Sequence, residues 1–279
     1  MNPTGSPSMP MHAAAQWVWL QRLCGVGTGL ALCILGTSIL LRLTTVLDAQ
    51  GNAVSTLAAD VEHTVRMLHR VCASSVALLA LGVLALCWRA RRTGVKLMPP
   101  AIWIVVSTVV LALIGPLTSG YRLGSITVVN VSFGMALLMA FWWLRESIDT
   151  AVDTCPHQAP GALSWAVFIA MVLHIGTGAG ASAWALHGVH GPAYVHLATL
   201  LLGLMLVGIL LFGPRNATVL SHRVSSLAAL LGLQIVVGGL VMWQDPRSTA
   251  LSYLHAMLSP LVAAAAVSIM VRGGRLGHR

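Results

Sequence analysis

The chain has 279 residues, of which 57% are hydrophobic and only 8% charged, and Lys and Arg outnumber Asp and Glu by 16 to 7. Apolar runs recur along the whole length, which excludes a soluble globular class and points to a polytopic membrane protein. No stretch is left for a soluble domain with a basic face, so the +9 balance reads as membrane topology with attraction to anionic lipid, and nucleic acid is excluded as a partner.

The opening "MNPTGSPSMPMHAAA" lacks a charged n-region and reads as a disordered tail over residues 1–17, not as a cleaved signal. A membrane-spanning helix takes about 20 apolar residues. Eight runs qualify, at roughly 18–42, 66–88, 101–119, 126–144, 163–185, 194–212, 223–243 and 254–271. Each must be a helix because lipid offers backbone polar groups no other partner, and the runs are continuous where a barrel would alternate. The spacing predicts an all-α protein of two tandem four-helix bundles, 18–145 and 163–271, joined by a cytoplasmic linker at 146–162 and closed by a basic tail at 272–279.

In the first run Cys24 and Cys33, and in the second Cys72 and Cys87, read as small packing residues; Cys155 falls in a loop, and no disulfide framework or CxxC site is supported. The second run opens "RMLHRVCASS", with His69 between Arg66 and Arg70, and His63 precedes it in the outer loop. The fourth opens "TVVNVSFGMALL" and carries Asn130. The fifth holds His174 in "LHIGTGAGAS", whose small residues permit close helix approach, and His187 and His190 follow in an outer loop. The sixth and eighth open "AYVHLATLLL" and "SYLHAMLSPL", with His196 and His255, while the seventh holds His222 and Arg223 at its start and Gln234 and Trp243 as packing residues with a polar handle. With the N-terminus inside, 11 basic residues flank the inner side and five (Arg42, Arg66, Arg70, Arg122 and Arg247) the outer, so both termini are expected to be cytoplasmic.

The second four runs repeat the first. "HRVCASSVALLALGVL" matches "HLATLLLGLMLVGILL", "NVSFGMALLMA" matches "HAMLSPLVAAA", and "LCILGTSILLRLT" matches "LHIGTGAGASAWA". The separations agree, 61 residues from His69 to Asn130 and 59 from His196 to His255. Helices two, four, six and eight all begin on the outer face, so these four positions share one depth. Imidazoles facing each other across a bundle are what six-coordinate haem iron needs. Asn130 breaks the pattern, because an amide ligates iron poorly compared with imidazole.

From about residue 20 to 271 the chain resembles the haem A synthase family, through "LGTSILLRLT" in helix one, "LHR" opening helix two, "LQIVVGGLVM" in helix seven and "YLHAM" opening helix eight. The resemblance implies oxidation of the C8 methyl of haem O to the formyl of haem A, with iron of a haem b held in the C-terminal half by His196 and His255 and substrate haem in the N-terminal half beside His69. Asn130 stands where the family has its second N-terminal histidine, and Arg66 where it has a glutamate thought to serve the chemistry. Glu62, seven residues before His69, is the candidate replacement, returned near the same face by two helical turns. Arg70, next to His69, and with it Arg66 and Arg122, are candidates to fork onto haem propionates. The family's place is the cell inner (plasma) membrane, and its partners would be haem O, haem O synthase and the cytochrome oxidase assembly machinery within the lipid bilayer, with a homo-oligomer left open. The alternative is a non-catalytic haem b protein for oxidase assembly, haem handling or electron transfer. A transporter is disfavoured because the repeats run in parallel.

Overall fold

The computed structural model describes residues 11–47, 53–91, 95–118, 124–152, 161–185, 191–212, 218–244 and 248–272. Eight α-helices account for nearly all of them: α1 (Met11–Leu43), α2 (Ala59–Ala90), α3 (Met98–Ile114), α4 (Gly124–Val152), α5 (Ala162–Ala185), α6 (Gly191–Phe212), α7 (Thr218–Trp243) and α8 (Thr249–Arg272). All eight are long and apolar enough to cross a membrane. The protein is an all-α polytopic membrane protein.

The helices overrun the apolar runs, and the sequence boundaries need correction accordingly. Helix α1 begins at Met11, inside the segment read as a tail, because "MHAAAQ" contains good helix formers and no breaker. Helix α2 begins at Ala59, so His63 lies on an exposed face of a helix and not in a loop. Helix α4 continues to Val152, into the expected linker, because its last two turns carry acids held by neighbouring helices. Helix α3 starts with prolines in its first turn, where a missing N–H costs nothing. A two-stranded antiparallel hairpin, β1 (Thr45–Leu47) and β2 (Ala53–Ser55), joins α1 to α2 and was not expected.

Burial follows helical faces. On α2 the buried residues Cys72, Val76, Ala80, Val83, Cys87 and Ala90 recur every three or four positions and form one stripe. The opposite faces keep large apolar side chains outward, as at Leu78 (74% exposed), Tyr194 (75%) and Phe212 (88%). That arrangement suits lipid and would be penalised in water.

In the first half α1 packs on α2 and α4, and α3 packs on α2 and α4. The second half repeats this, with α5 on α6 and α8, and α7 on α6 and α8. Each half is a ring of four, which sets α2 diagonally opposite α4, and α6 diagonally opposite α8. The rings meet where α4 packs on α5 and α8, and α1 on α8. Close approach of α1 to α8 there uses glycine, since a Cβ at Gly36 would sit 2.9 Å from the Tyr253 hydroxyl; within the first ring, one at Gly27 would clash with the Phe141 ring of α4.

Candidate functional site

The helix openings of α6 and α8 put His196 and His255 on diagonal partners of one ring. His196 Nδ1 lies 3.0 Å from the His174 carbonyl of α5, and His255 Nδ1 lies 3.1 Å from the Gln234 carbonyl of α7. A carbonyl only accepts, so each Nδ1 carries the proton and donates, which leaves the Nε2 lone pair free. Among the described residues neither Nε2 has a hydrogen-bond partner. A backbone acceptor behind one ring nitrogen, with the other presented, is the usual setting of a metal-ligating histidine.

The two imidazoles are held alike on their flanks. A Cβ at Gly178 would sit 2.8 Å from His196 Cε1, and one at Gly238 would sit 2.9 Å from His255 Cε1. Each glycine follows the residue whose carbonyl accepts that bond by four positions, one turn along the same helix face, so glycine is what lets the ring lie against the helix.

His69 is also held through Nδ1 in the first half, by a threonine hydroxyl and, among the described residues, without a glycine against its ring. Thr37 Oγ1 lies 3.0 Å from His69 Nδ1 and is already committed as a donor to the carbonyls of Cys33 and Ile34 at 2.8 and 3.0 Å. Its oxygen must therefore accept from Nδ1–H, and His69 also keeps Nε2 free. The equivalent threonine of the second half, Thr177, lies 3.5 Å from His196 Nδ1 and 3.1 Å from the Thr199 hydroxyl. Thus α1 with α2, α5 with α6 and α7 with α8 are three versions of one histidine clamp.

The fourth position is different. Asn130 on α4 is half-buried, and among the described residues its side chain makes no hydrogen bond. Arg70 is exposed beside His69, and Arg66 is exposed but engaged: its Nε donates to Glu62 Oε1 at 2.7 Å, one turn away. Glu62 therefore lies in the first turn of α2 in an ion pair, two turns from His69. Arg122, His187, His190 and Cys155 lie outside the described residues.

His174 carries a feature the sequence hid. Its side chain is 1% exposed, neither ring nitrogen has a hydrogen-bond partner, and it stacks on His196 with centroids 4.2 Å apart and an interplanar angle of 11°. Gln234, also buried, donates to Ser259 at 3.1 Å and leaves Oε1 unpartnered. Residues 174 and 234 thus serve the site through their carbonyls, while their side chains add polarity to the bundle core. His222 is exposed on α7 and Trp243 is 86% exposed.

At the other end of the helices is a buried ion cluster that charge counting could not locate. Glu146 on α4 is 4% exposed. It accepts from Arg223 Nη1 of α7 at 2.7 Å, Ser268 Oγ of α8 at 2.8 Å and Arg272 Nε of α8 at 2.6 Å. Trp142 Nε1 donates to Ser268 at 2.8 Å, and Asp149 accepts from Gln21 of α1 at 2.8 Å. The signal available in the sequence was an acid at the end of an apolar run, since an ionisable residue in a membrane helix calls for a partner.

The donor set fits haem: neutral imidazoles with free Nε2, on diagonal helices, in a core with few competing charges. No group of three or more His, Cys, Asp or Glu side chains able to hold a bare metal ion occurs among the described residues. No protein-family model and no curated protein matches the chain.

Proposed function

We propose that this protein is a membrane oxidoreductase of the haem A synthase type, which oxidises the C8 methyl of haem O to the formyl group for cytochrome oxidase assembly and holds a haem b between His196 and His255. The observation that carries this reading is the matched clamp on those two histidines, Nδ1 tied to the carbonyls of residues 174 and 234 and Nε2 left free on diagonal helices. Haem b bound there supplies one-electron redox chemistry.

The chain's own residues do the rest. The His174 and Gln234 carbonyls hold the protons on Nδ1, and Gly178 and Gly238 set the ring orientations. In the substrate half His69 offers one clamped imidazole to haem O, and Asn130 offers an amide that can hydrogen-bond but ligates iron poorly. Arg70, free of ion pairs among the described residues, is placed to fork onto a propionate. Glu62 is the acid-base group, and it takes up a proton only when its pair with Arg66 opens. The charge bias of the flanks supports a topology with both termini in the cytoplasm, and the inner (plasma) membrane is the location this activity calls for. Haem O synthase and the oxidase assembly machinery are the partners this activity calls for.

The engaged state of Glu62 and the amide at position 130 favour a second reading, a haem b protein without turnover. One experiment separates the two. The protein is expressed in a host that makes haem O but no haem A, and haems are extracted and resolved. Haem A that disappears on Glu62→Gln, with haem b still bound, supports the enzyme. Haem O alone, beside protein fully loaded with haem b, supports the second reading; protein without haem sinks both.

A further inference from the structure

The interface between α1 and α2 holds two pairs of free thiols, and one of them is in contact. Cys72 Sγ lies 3.4 Å from Cys33 Sγ, within reach of an S–H···S hydrogen bond. Cys72 follows His69 by one turn on the same face, and Cys33 directly precedes Ile34 on α1. Cys72 is 5% exposed, whereas Cys33 is half-buried and is the more accessible sulfur of the two. The second pair, Cys24 and Cys87, is fully buried, and among the described residues no hydrogen bond joins its sulfurs.

We propose that Cys33 and Cys72 are a redox-active pair that closes to an interhelical disulfide, with a lipophilic quinone as oxidant. Closing from 3.4 Å to a bond of about 2.05 Å asks for roughly 1.4 Å of sulfur movement, which rotation about χ1 provides. The site is inside the apolar span, so charged oxidants such as glutathione disulfide are kept out and a membrane-soluble two-electron carrier has access. The Cys33 sulfur attacks the quinone ring. Cys72 Sγ then attacks Cys33 Sγ, the carbon–sulfur bond breaks, and its electron pair stays on the ring. Two S–H bonds are lost, one S–S bond forms, and both protons and both electrons end on the hydroquinone. The bond ties α1 to α2 one turn from His69, so the oxidation state of the pair sets how firmly that imidazole is carried. The proposal does not depend on bound haem.

The test uses full-length protein in lipid nanodiscs, reduced, desalted and incubated with decylubiquinone. The sample is quenched in acid, denatured with N-ethylmaleimide and mapped by mass spectrometry without reductant. The expected result is a peptide linking Cys33 to Cys72, loss of two alkylated thiols and about one hydroquinone per chain, while Cys24 and Cys87 stay alkylated. The conservative variants Cys33→Ser and Cys72→Ser should each lower hydroquinone formation at least tenfold. A wild-type protein that retains both thiols, or that links Cys24 to Cys87 as readily, overturns the proposal.

Discussion

Replacing Glu146 with glutamine tests whether the ion cluster joins the two helix rings. The carboxylate is the shared acceptor for Arg223, Arg272 and Ser268, drawn from α7 and α8 onto α4. The neutral amide keeps one oxygen but turns an NH2 toward a guanidinium, so Arg223 loses its counter-charge among the described residues while Arg272 keeps Asp149 at 3.9 Å. Removing one partner of a buried pair costs about 3–5 kcal/mol. Because the Arg223 and Arg272 side chains are 29% and 14% exposed, solvent recovers part of this, and a loss of about 3 kcal/mol is the reasonable value. At roughly 2–4 °C per kcal/mol for a chain of this size, the midpoint in detergent should fall by on the order of 10 °C. Thermal scanning of intrinsic tryptophan fluorescence measures it. The control is a triple change, Glu146→Leu with Arg223→Met and Arg272→Met, which removes both guanidiniums together with the carboxylate and should recover at least half of the loss. A Glu146→Gln midpoint within about 1 °C of wild type, or a triple variant less stable than the single one, would refute the reasoning.

The remaining expectations concern the histidine clamps. His196→Ala and His255→Ala should each abolish or convert the low-spin reduced spectrum of the purified protein, and retention of the wild-type spectrum in both removes the ligand assignment. Gly238→Ala places a methyl 2.9 Å from His255 Cε1; overpacking of this kind costs roughly 1–3 kcal/mol, so haem retention in gel filtration should fall about tenfold, whereas Gly239→Ala, with open space at its Cβ, should not change it. Asn130→His should raise haem occupancy of the first half or add a second low-spin signal, read by electron paramagnetic resonance; a wild-type protein already holding two bis-histidine haems would contradict the account of position 130.

The helices were legible because lipid leaves an apolar run of about 20 residues no other structure; all eight were found, α5 to within a residue, while the starts of α1, α2, α7 and α8 and the end of α4 were off by several. The ends were missed for an identifiable reason. Polar turns such as "ADVEHT" before the second run and "RESIDTAV" after the fourth are helical, yet they carry no apolar signal. A shared depth for His69, Asn130, His196 and His255 is what the sequence predicts, from antiparallel helices of similar length with matched spacings.

What the tertiary structure decided is rotation and neighbourhood. These helices are apolar nearly all round, so hydrophobic pattern marks no inward face. Nothing in "LHIGTGAG" tells that the His174 carbonyl accepts from His196 while its imidazole stacks on that ring, or that Gly178 is the residue on which the ring rests. Nothing in "LRESID" tells that Glu146 binds two arginines more than 70 residues away, because that contact depends on how two helix rings dock. Sequence determined which segments cross the membrane; the tertiary structure decided which carbonyl, glycine and carboxylate each side chain meets, because those contacts are made between helices and not along them.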